Sequence, residues 1–150
     1  GLPERSLPAL RAAIAFVRDA VRRGVVRSAH DVAEGGLAVA LAESALAGGI
    51  GARVALADVG AAREGATPLD EQLFGEGPGA FVLSGPREAL AALCAEAPEG
   101  TSAAIVGEVG GDALEIAHDG GALRWPLAAL RERRERGLAD LFDTSTRLDD

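Results

Sequence analysis

Lysine is absent from this 150-residue chain, and all 15 of its basic residues are arginine. That excludes Schiff-base chemistry and the lysine of a phosphate-binding P-loop. One cysteine, Cys94, stands alone, so no intrachain disulfide forms and a reducing cytoplasm is the expected compartment. Its setting, Leu90-Ala91-Ala92-Leu93-Cys94-Ala95, reads as helix core rather than as a nucleophile. The same cysteine and the two distant histidines, His30 and His118, make no zinc pattern. Aromatic residues contribute only 3%, so the core has to be aliphatic, built from Ala, Leu and Val. Methionine is missing altogether, initiator included, and the expectation is a fragment or a processed piece. No apolar run approaches the ~20 residues of a membrane span, and no signal peptide is visible.

The charge balance narrows the partners. A net charge of −8 argues against nucleic acid, which needs clustered cations to release counterions. The one basic run, Arg131, Arg133, Arg134 and Arg136, is interleaved with Glu132 and Glu135 and reads as a solvated helix face. The length suits one domain, expected over residues 1–142, with a polar tail at 143–150 that frays. A domain of this size buries roughly 68–70% of its unfolded surface, enough for a core.

Along the chain, Ser6 and Pro8 mark a helix start, and Leu10, Ile14, Phe16, Val17 and Val21 recur near helical spacing until Gly24 stops them. Val25 to Ala29 is short and extended. Leu37 to Ala47 is apolar except for Glu43 and Ser44, so this helix is predicted to be central. Gly48-Gly49 ends it. Ala52 to Leu56 alternates as a strand, Gly60 to Pro68 reads as a loop, and Pro68 to Phe74 as a helix of one or two turns. Ala80 to Leu83 reads as a buried strand, and Pro86 opens a helix that ends before Pro98. Ala103 to Val109 and Ala113 to Ala117, joined by Gly110-Gly111-Asp112, read as an antiparallel pair. Asp119-Gly120-Gly121 turns the chain again toward Trp125, and Pro126 begins the last helix. Helices and strands interleave while neighbouring strands are hairpin-linked, so the sheet is expected to be mixed.

The organising stretch is Ser28-Ala29-His30-Asp31-Val32-Ala33-Glu34-Gly35-Gly36-Leu37, an extended segment, a polar turn and a glycine pair that run into the apolar helix. Units of this kind often hold anions at the helix front. Asp31 and Glu34 bring two negative charges there, so a bound phosphate would need a magnesium ion or an arginine as escort. The competing reading has Asp31 or Glu34 capping the helix and His30 filling a polar gap. His30-Asp31 has no Ser or Cys nucleophile in company, which favours a structural histidine. His118 reads as a solvent-facing turn residue. Glu76, between glycines in Phe74-Gly75-Glu76-Gly77-Pro78, reads as a solvated acid in a turn, although those glycines also suit close approach by a partner.

SAHDVAEGGLAVALAE resembles the signature AHD-[IV]-[ST]-[DE]-GGL of the C-terminal domains of the aminoimidazole ribonucleotide synthetase superfamily. LFGEGPGAFVLS (Leu73 to Ser84) and GEVGGDALEI (Gly107 to Ile116) resemble two later motifs of one branch, the phosphoribosylformylglycinamidine (FGAM) synthases. Three motifs in order over residues 28–116 are far more specific than a lone glycine turn. One departure is Ala33, where the family has Ser or Thr. The resemblance implies an α/β fold, a three-layer α/β/α domain with a mixed sheet. It implies ATP- and magnesium-dependent conversion of formylglycinamide ribonucleotide to its amidine in purine biosynthesis, with ammonia derived from glutamine. The family's catalytic histidine, magnesium carboxylates and most ATP contacts lie upstream of this domain and match nothing here. The chain alone is therefore expected to be inactive and to bind neither ATP nor magnesium tightly, with no catalytic residue and no metal ligand of its own. Its contribution would be the loop His30, Asp31, Glu34, Gly35 and Gly36, lining a nucleotide or substrate cleft. Implied partners are the upstream domains, a separate glutaminase subunit and a small accessory subunit. Two rivals stand beside this reading. One is another superfamily member: aminoimidazole ribonucleotide synthetase, thiamine-phosphate kinase or selenophosphate synthetase. The other is a non-catalytic assembly or regulatory module, for which Ala33 is the only hint.

Overall fold

The computed structural model describes residues 6–59 and 68–142; the loop expected over 60–68, apart from Pro68, and the tail expected over 143–150 lie outside them. The element order is helix α1 (Leu7–Arg22), strand β1 (Ser28–Asp31), helix α2 (Gly36–Gly48), strand β2 (Ala52–Ala55), helices α3 (Leu56–Val59) and α4 (Leu69–Phe74), and strand β3 (Phe81–Ser84). Helix α5 (Arg87–Ala95), strands β4 (Gly107–Val109), β5 (Ala113–His118) and β6 (Gly121–Pro126), and helix α6 (Leu127–Phe142) complete it. The mixed α/β class expected from the interleaved elements is what the chain adopts.

Helix α1 starts beside Ser6 with Pro8 in its first turn and stops where Gly24 turns left-handed at φ 68°. Its apolar positions are only half covered: Ala20 is its one buried residue. Helix α2 behaves differently. Ala40, Leu41, Ala45 and Leu46 are buried, and the helix touches α4, α6, β1 and β5. An apolar helix with neighbours on several sides is the central element that its composition predicts.

The strands form two sheets. β1 and β3 pair antiparallel as a ribbon, Ser28 opposite Ser84 and Asp31 opposite Phe81. The second sheet has the order β4-β2-β5-β6 and is mixed: β2 runs antiparallel to β4 and parallel to β5, while β5 and β6 form a hairpin. The expected pairing of Ala103–Val109 with Ala113–Ala117 does not occur, because β2 is inserted between β4 and β5. The turn between β4 and β5 gives its polar groups to Gly51, at the head of β2. Gly51 N–H donates to the Gly111 carbonyl at 2.9 Å, and Gly110 N–H donates to the Gly51 carbonyl at 2.7 Å. Clamped there, the two strands splay and β2 fills the gap. Two further expectations change. Leu56 begins the short helix α3 instead of ending a strand, and the β3 residues are half-buried instead of buried.

The core gathers Leu41 of α2, Val54 of β2, Leu56 of α3, Leu73 of α4, and Leu114 and Ile116 of β5, with Val82, Leu123, Trp125 and Leu130 packed against it. Ile116 is fully excluded from solvent. Side chains alternate across a strand, so the residues between these core positions share the other face. Glu108, Arg53, Glu115 and Arg124 lie opposite one another across all four strands, a row of alternating sign. Arg131 to Gly137 of α6 are exposed, as a solvated face requires, and Arg136 meets Glu132 at 3.3 Å.

Candidate functional site

The first two sequence motifs fold into one structure. β1 and β3 join them side by side, and beyond the last pair Val32 N–H donates to the Ala80 carbonyl at 2.9 Å. The end of α4 closes the other flank. A Cβ on Gly36 would stand 2.7 Å from the Phe74 carbonyl carbon and 2.8 Å from the Leu73 oxygen. Gly36 also has a φ of 68°, so glycine is required there by close approach and by backbone conformation together. What approaches it is the chain's own backbone.

Of the residues assigned to the loop, His30 and Asp31 are the last two of β1 rather than loop residues. Glu34 and Gly35 form the turn, and Gly36 is the first residue of α2. His30 Nδ1–H donates to the Asp31 carbonyl at 2.6 Å, and Nε2 lies 3.2 Å from Glu43 Oε2 on α2. Both ring nitrogens thus face oxygens of the chain, one on β1 and one on α2. The Asp31 carboxylate lies 3.8 Å from the ring and is 68% exposed. Glu34 is exposed as well.

Neither acid caps the helix. Gly35, the residue before α2, is left-handed at φ 77°, and its N–H donates to Glu76 Oε1 at 2.8 Å. Glu76 is exposed, as a solvated turn acid would be, and it is also a partner to the helix front. Sequence reasoning missed this role, and it missed Glu43. For Glu43 a signal existed, since it is one of two polar residues in an apolar helix. The other, Ser44, donates to the Ala40 carbonyl at 2.7 Å. For Glu76 only its flanking glycines hinted at a close approach.

The remaining candidates lie elsewhere. His118 is half-buried and closes the β5–β6 turn, accepting the Gly120 N–H on Nδ1 at 3.1 Å. Cys94 is half-buried on α5. Among the described residues no group of three or more His, Cys, Asp and Glu stands close enough together to hold a metal ion. A depression of about 260 Å³ on the outer face of the four-stranded sheet is lined by Arg53, Glu108, Asp112, Glu115 and Arg124. Its charges pair with one another or, for Glu108, with Arg87, at 3.3 to 3.6 Å, so it offers a ligand little. The junction of the two motifs is the better site, because exposed carboxylates meet a tightly built turn there.

The sequence profile of the family described as "AIR synthase related protein, C-terminal domain" matches residues 1–119. The chain belongs to that family. Among curated relatives of this C-terminal domain, the phosphoribosylformylglycinamidine synthase subunit PurL of Thermus thermophilus is 37% identical over 129 residues, 85% of this chain and 16% of that protein. The PurL subunit of an Anaeromyxobacter strain is 43% identical over 126 residues, covering 81% of the chain and again 16% of the relative. The chain thus spans about one sixth of the length of these relatives. Its fold is that of the corresponding part of Thermotoga maritima phosphoribosylformylglycinamidine synthase II. The TM-score is 0.69 at 22% identity, over 85% of this chain and 22% of that one. The T. maritima PurL complexed with FGAR superposes at 0.68 over 81% and 20% of the two chains, also at 22% identity. The one complexed with ATP superposes at 0.66 and 21% identity, over 80% and 21%. In this member of the family, then, the glycine pair and the following apolar helix form a framework that brings both motifs together.

Proposed function

We propose that the chain is the C-terminal domain of the synthetase subunit of FGAM synthase, and that residues 1–142 work as one unit against the upstream domains of the same enzyme. The reaction of that enzyme is the ATP-dependent conversion of formylglycinamide ribonucleotide to its amidine, with glutamine-derived ammonia. The observation that carries this reading is the convergence of the two motifs at the front of α2, which leaves Asp31 and Glu34 exposed beside the Gly35–Gly36 turn. The PurL name shared by the curated relatives favours this branch over the other members of the superfamily, and T. maritima relatives complexed with ATP and with FGAR support a nucleotide or substrate cleft.

Within the cleft, His30, Asp31, Glu34, Gly35 and Gly36 are the edge that this domain supplies. Asp31 and Glu34 are hard oxygen donors, and magnesium takes one or two carboxylates while keeping waters and phosphate oxygens. Two carboxylates without a third ligand suit a shared ion, not one owned by this domain. Bound magnesium would neutralise phosphate charge, and the part played by this chain is to hold the two carboxylates on a rigid strand end and turn. His30, bonded through Nδ1 to the Asp31 carbonyl, lies between that strand end and Glu43 of α2. No residue here is assigned a catalytic role. The proposed setting is the cytoplasm, with a glutaminase subunit and a small accessory subunit as partners, in line with the PurLQS assembly of T. maritima.

The test of the domain assignment is turnover by the chain alone. Incubated with ATP, magnesium, ammonia and formylglycinamide ribonucleotide, it is expected to release no phosphate, because phosphoryl transfer needs a positioned nucleophile and charge clamps that it lacks. Enzyme-dependent phosphate release would overturn the reading.

A further inference from the structure

The first N–H groups of a helix have no partner within the helix, and with the aligned peptide dipoles they make the equivalent of about half a positive charge. At the turn that opens α2, the Gly35 and Gly36 N–H groups have acceptors already. Glu76 Oε1 accepts the Gly35 N–H at 2.8 Å, across 41 residues of sequence, and Gly36 N–H is taken by the Ala33 carbonyl at 3.1 Å. Glu76 is held at this point from its own side. Gly75 N–H donates to the Glu71 carbonyl at 2.9 Å, and the Leu73–Phe74 backbone lies against Gly36. Of the nearer acids, Asp31 is turned toward the His30 ring, while Glu34 is exposed, as Glu76 itself is.

We infer that the Gly35 corner of the anion seat at the front of α2 is filled from within. Glu76 is a latch that closes the Gly35–Gly36 turn onto the α4–β3 loop and keeps external phosphates and carboxylates off the Gly35 amide. It is a positioning residue. A ligand in the cleft therefore meets the exposed carboxylates of Asp31 and Glu34 and an escorting cation, and the Gly35 amide stays with Glu76. The inference stands on the loop geometry and holds whichever ligand the cleft takes. Its test needs neither nucleotide nor substrate, so it and the functional reading fail separately.

Amide exchange and chemical shift at Gly35, followed by NMR in the 150-residue chain, read the latch directly. In the unmodified chain the Gly35 amide is expected to be protected and its resonance unmoved by inorganic phosphate or formate. Glu76→Ala should speed its exchange on the order of tenfold, the ratio that matches one lost charge-assisted bond. Added formate or phosphate should then slow it again by filling the vacated seat. Glu76→Gln keeps an accepting oxygen and should retain protection without responding to either anion. Equal Gly35 exchange in the unmodified chain and Glu76→Ala would overturn the inference. So would a phosphate-dependent shift of Gly35 in the unmodified chain, a result obtainable even if Glu76→Ala fails to fold.

Discussion

Substituting alanine at the two glycines that bound helix α2 separates backbone cost from packing cost within a single element. Gly36 opens the helix at φ 68°, and Gly49 follows its end at φ 64°. An L-residue in that region costs roughly 1–2 kcal/mol at either site. The surroundings differ. Nothing lies within 4 Å of a Cβ on Gly49, whereas a Cβ on Gly36 meets the backbone of Leu73 and Phe74 at 2.7 to 2.8 Å. Backbone cannot rotate away as a side chain does, and an overpacked methyl costs typically about 1–3 kcal/mol. Gly36→Ala should therefore destabilise by roughly 2–5 kcal/mol and Gly49→Ala by roughly 1–2 kcal/mol, the gap measuring the α4 contact. Against a total of about 5–15 kcal/mol for a domain, the first is a large fraction. Urea unfolding followed by far-ultraviolet circular dichroism gives both values, and Trp125, the only tryptophan, gives an independent fluorescence signal from the edge of the core. Equal midpoints for the two variants would refute the reasoning, since α4 would then not press on the helix front.

Other expectations follow from the same structure. Leu41→Asp places a carboxylate among Val54, Leu73 and Leu114 at a cost of several kcal/mol, so it should not accumulate as a folded protein; a soluble variant melting cooperatively would contradict the position of α2. Ile116→Ala, at the most enclosed side chain of β5, should lose about 2–5 kcal/mol in urea unfolding, and a loss below 1 kcal/mol would mean that the site is not core. Arg53→Ala should change stability by less than about 1 kcal/mol, because its ion pair with Glu115 is solvent-exposed and such pairs contribute little; a larger loss would give the charge row on the sheet a structural role.

What was legible in the sequence was set by local chemistry. Pro8 and Gly24 bound α1, Gly49 ends α2, and the alternation from Ala52 marks β2. The composition of Leu37 to Ala47 by itself placed α2 at the centre. What escaped notice depends on contacts distant in sequence. A turn such as Gly110-Gly111-Asp112 suggests a hairpin wherever its polar groups are free, and nothing local reveals that Gly51 claims them. Leu56 continues the strand pattern by hydropathy, yet it starts α3, and it is buried either way. At the candidate site the glycine pair was visible, but its reason was not. Gly36 is glycine because α4 touches it, and Gly35 carries the bond to Glu76. Both facts couple the two motifs across some forty residues, beyond the reach of any window along the chain.

The glycine variants therefore do not report on a ligand, since both disturb the framework. Asp31→Asn and Glu34→Gln do, because each removes an exposed charge at nearly constant volume while leaving the Gly35 amide to Glu76. The direct measurement is steady-state kinetics of the full-length enzyme, normalised to folded protein, with bound nucleotide and melting temperature determined in parallel. If the strand end and turn line the cleft, Asp31→Asn should lower nucleotide affinity or kcat/KM on the order of tenfold, as expected for about 1–2 kcal/mol of lost charge-assisted contact, with the melting temperature unchanged. Loss of bound nucleotide with normal turnover would assign the domain an auxiliary nucleotide site. Unchanged nucleotide content and unchanged kinetics in both variants would contradict the cleft and leave the loop a structural role alone.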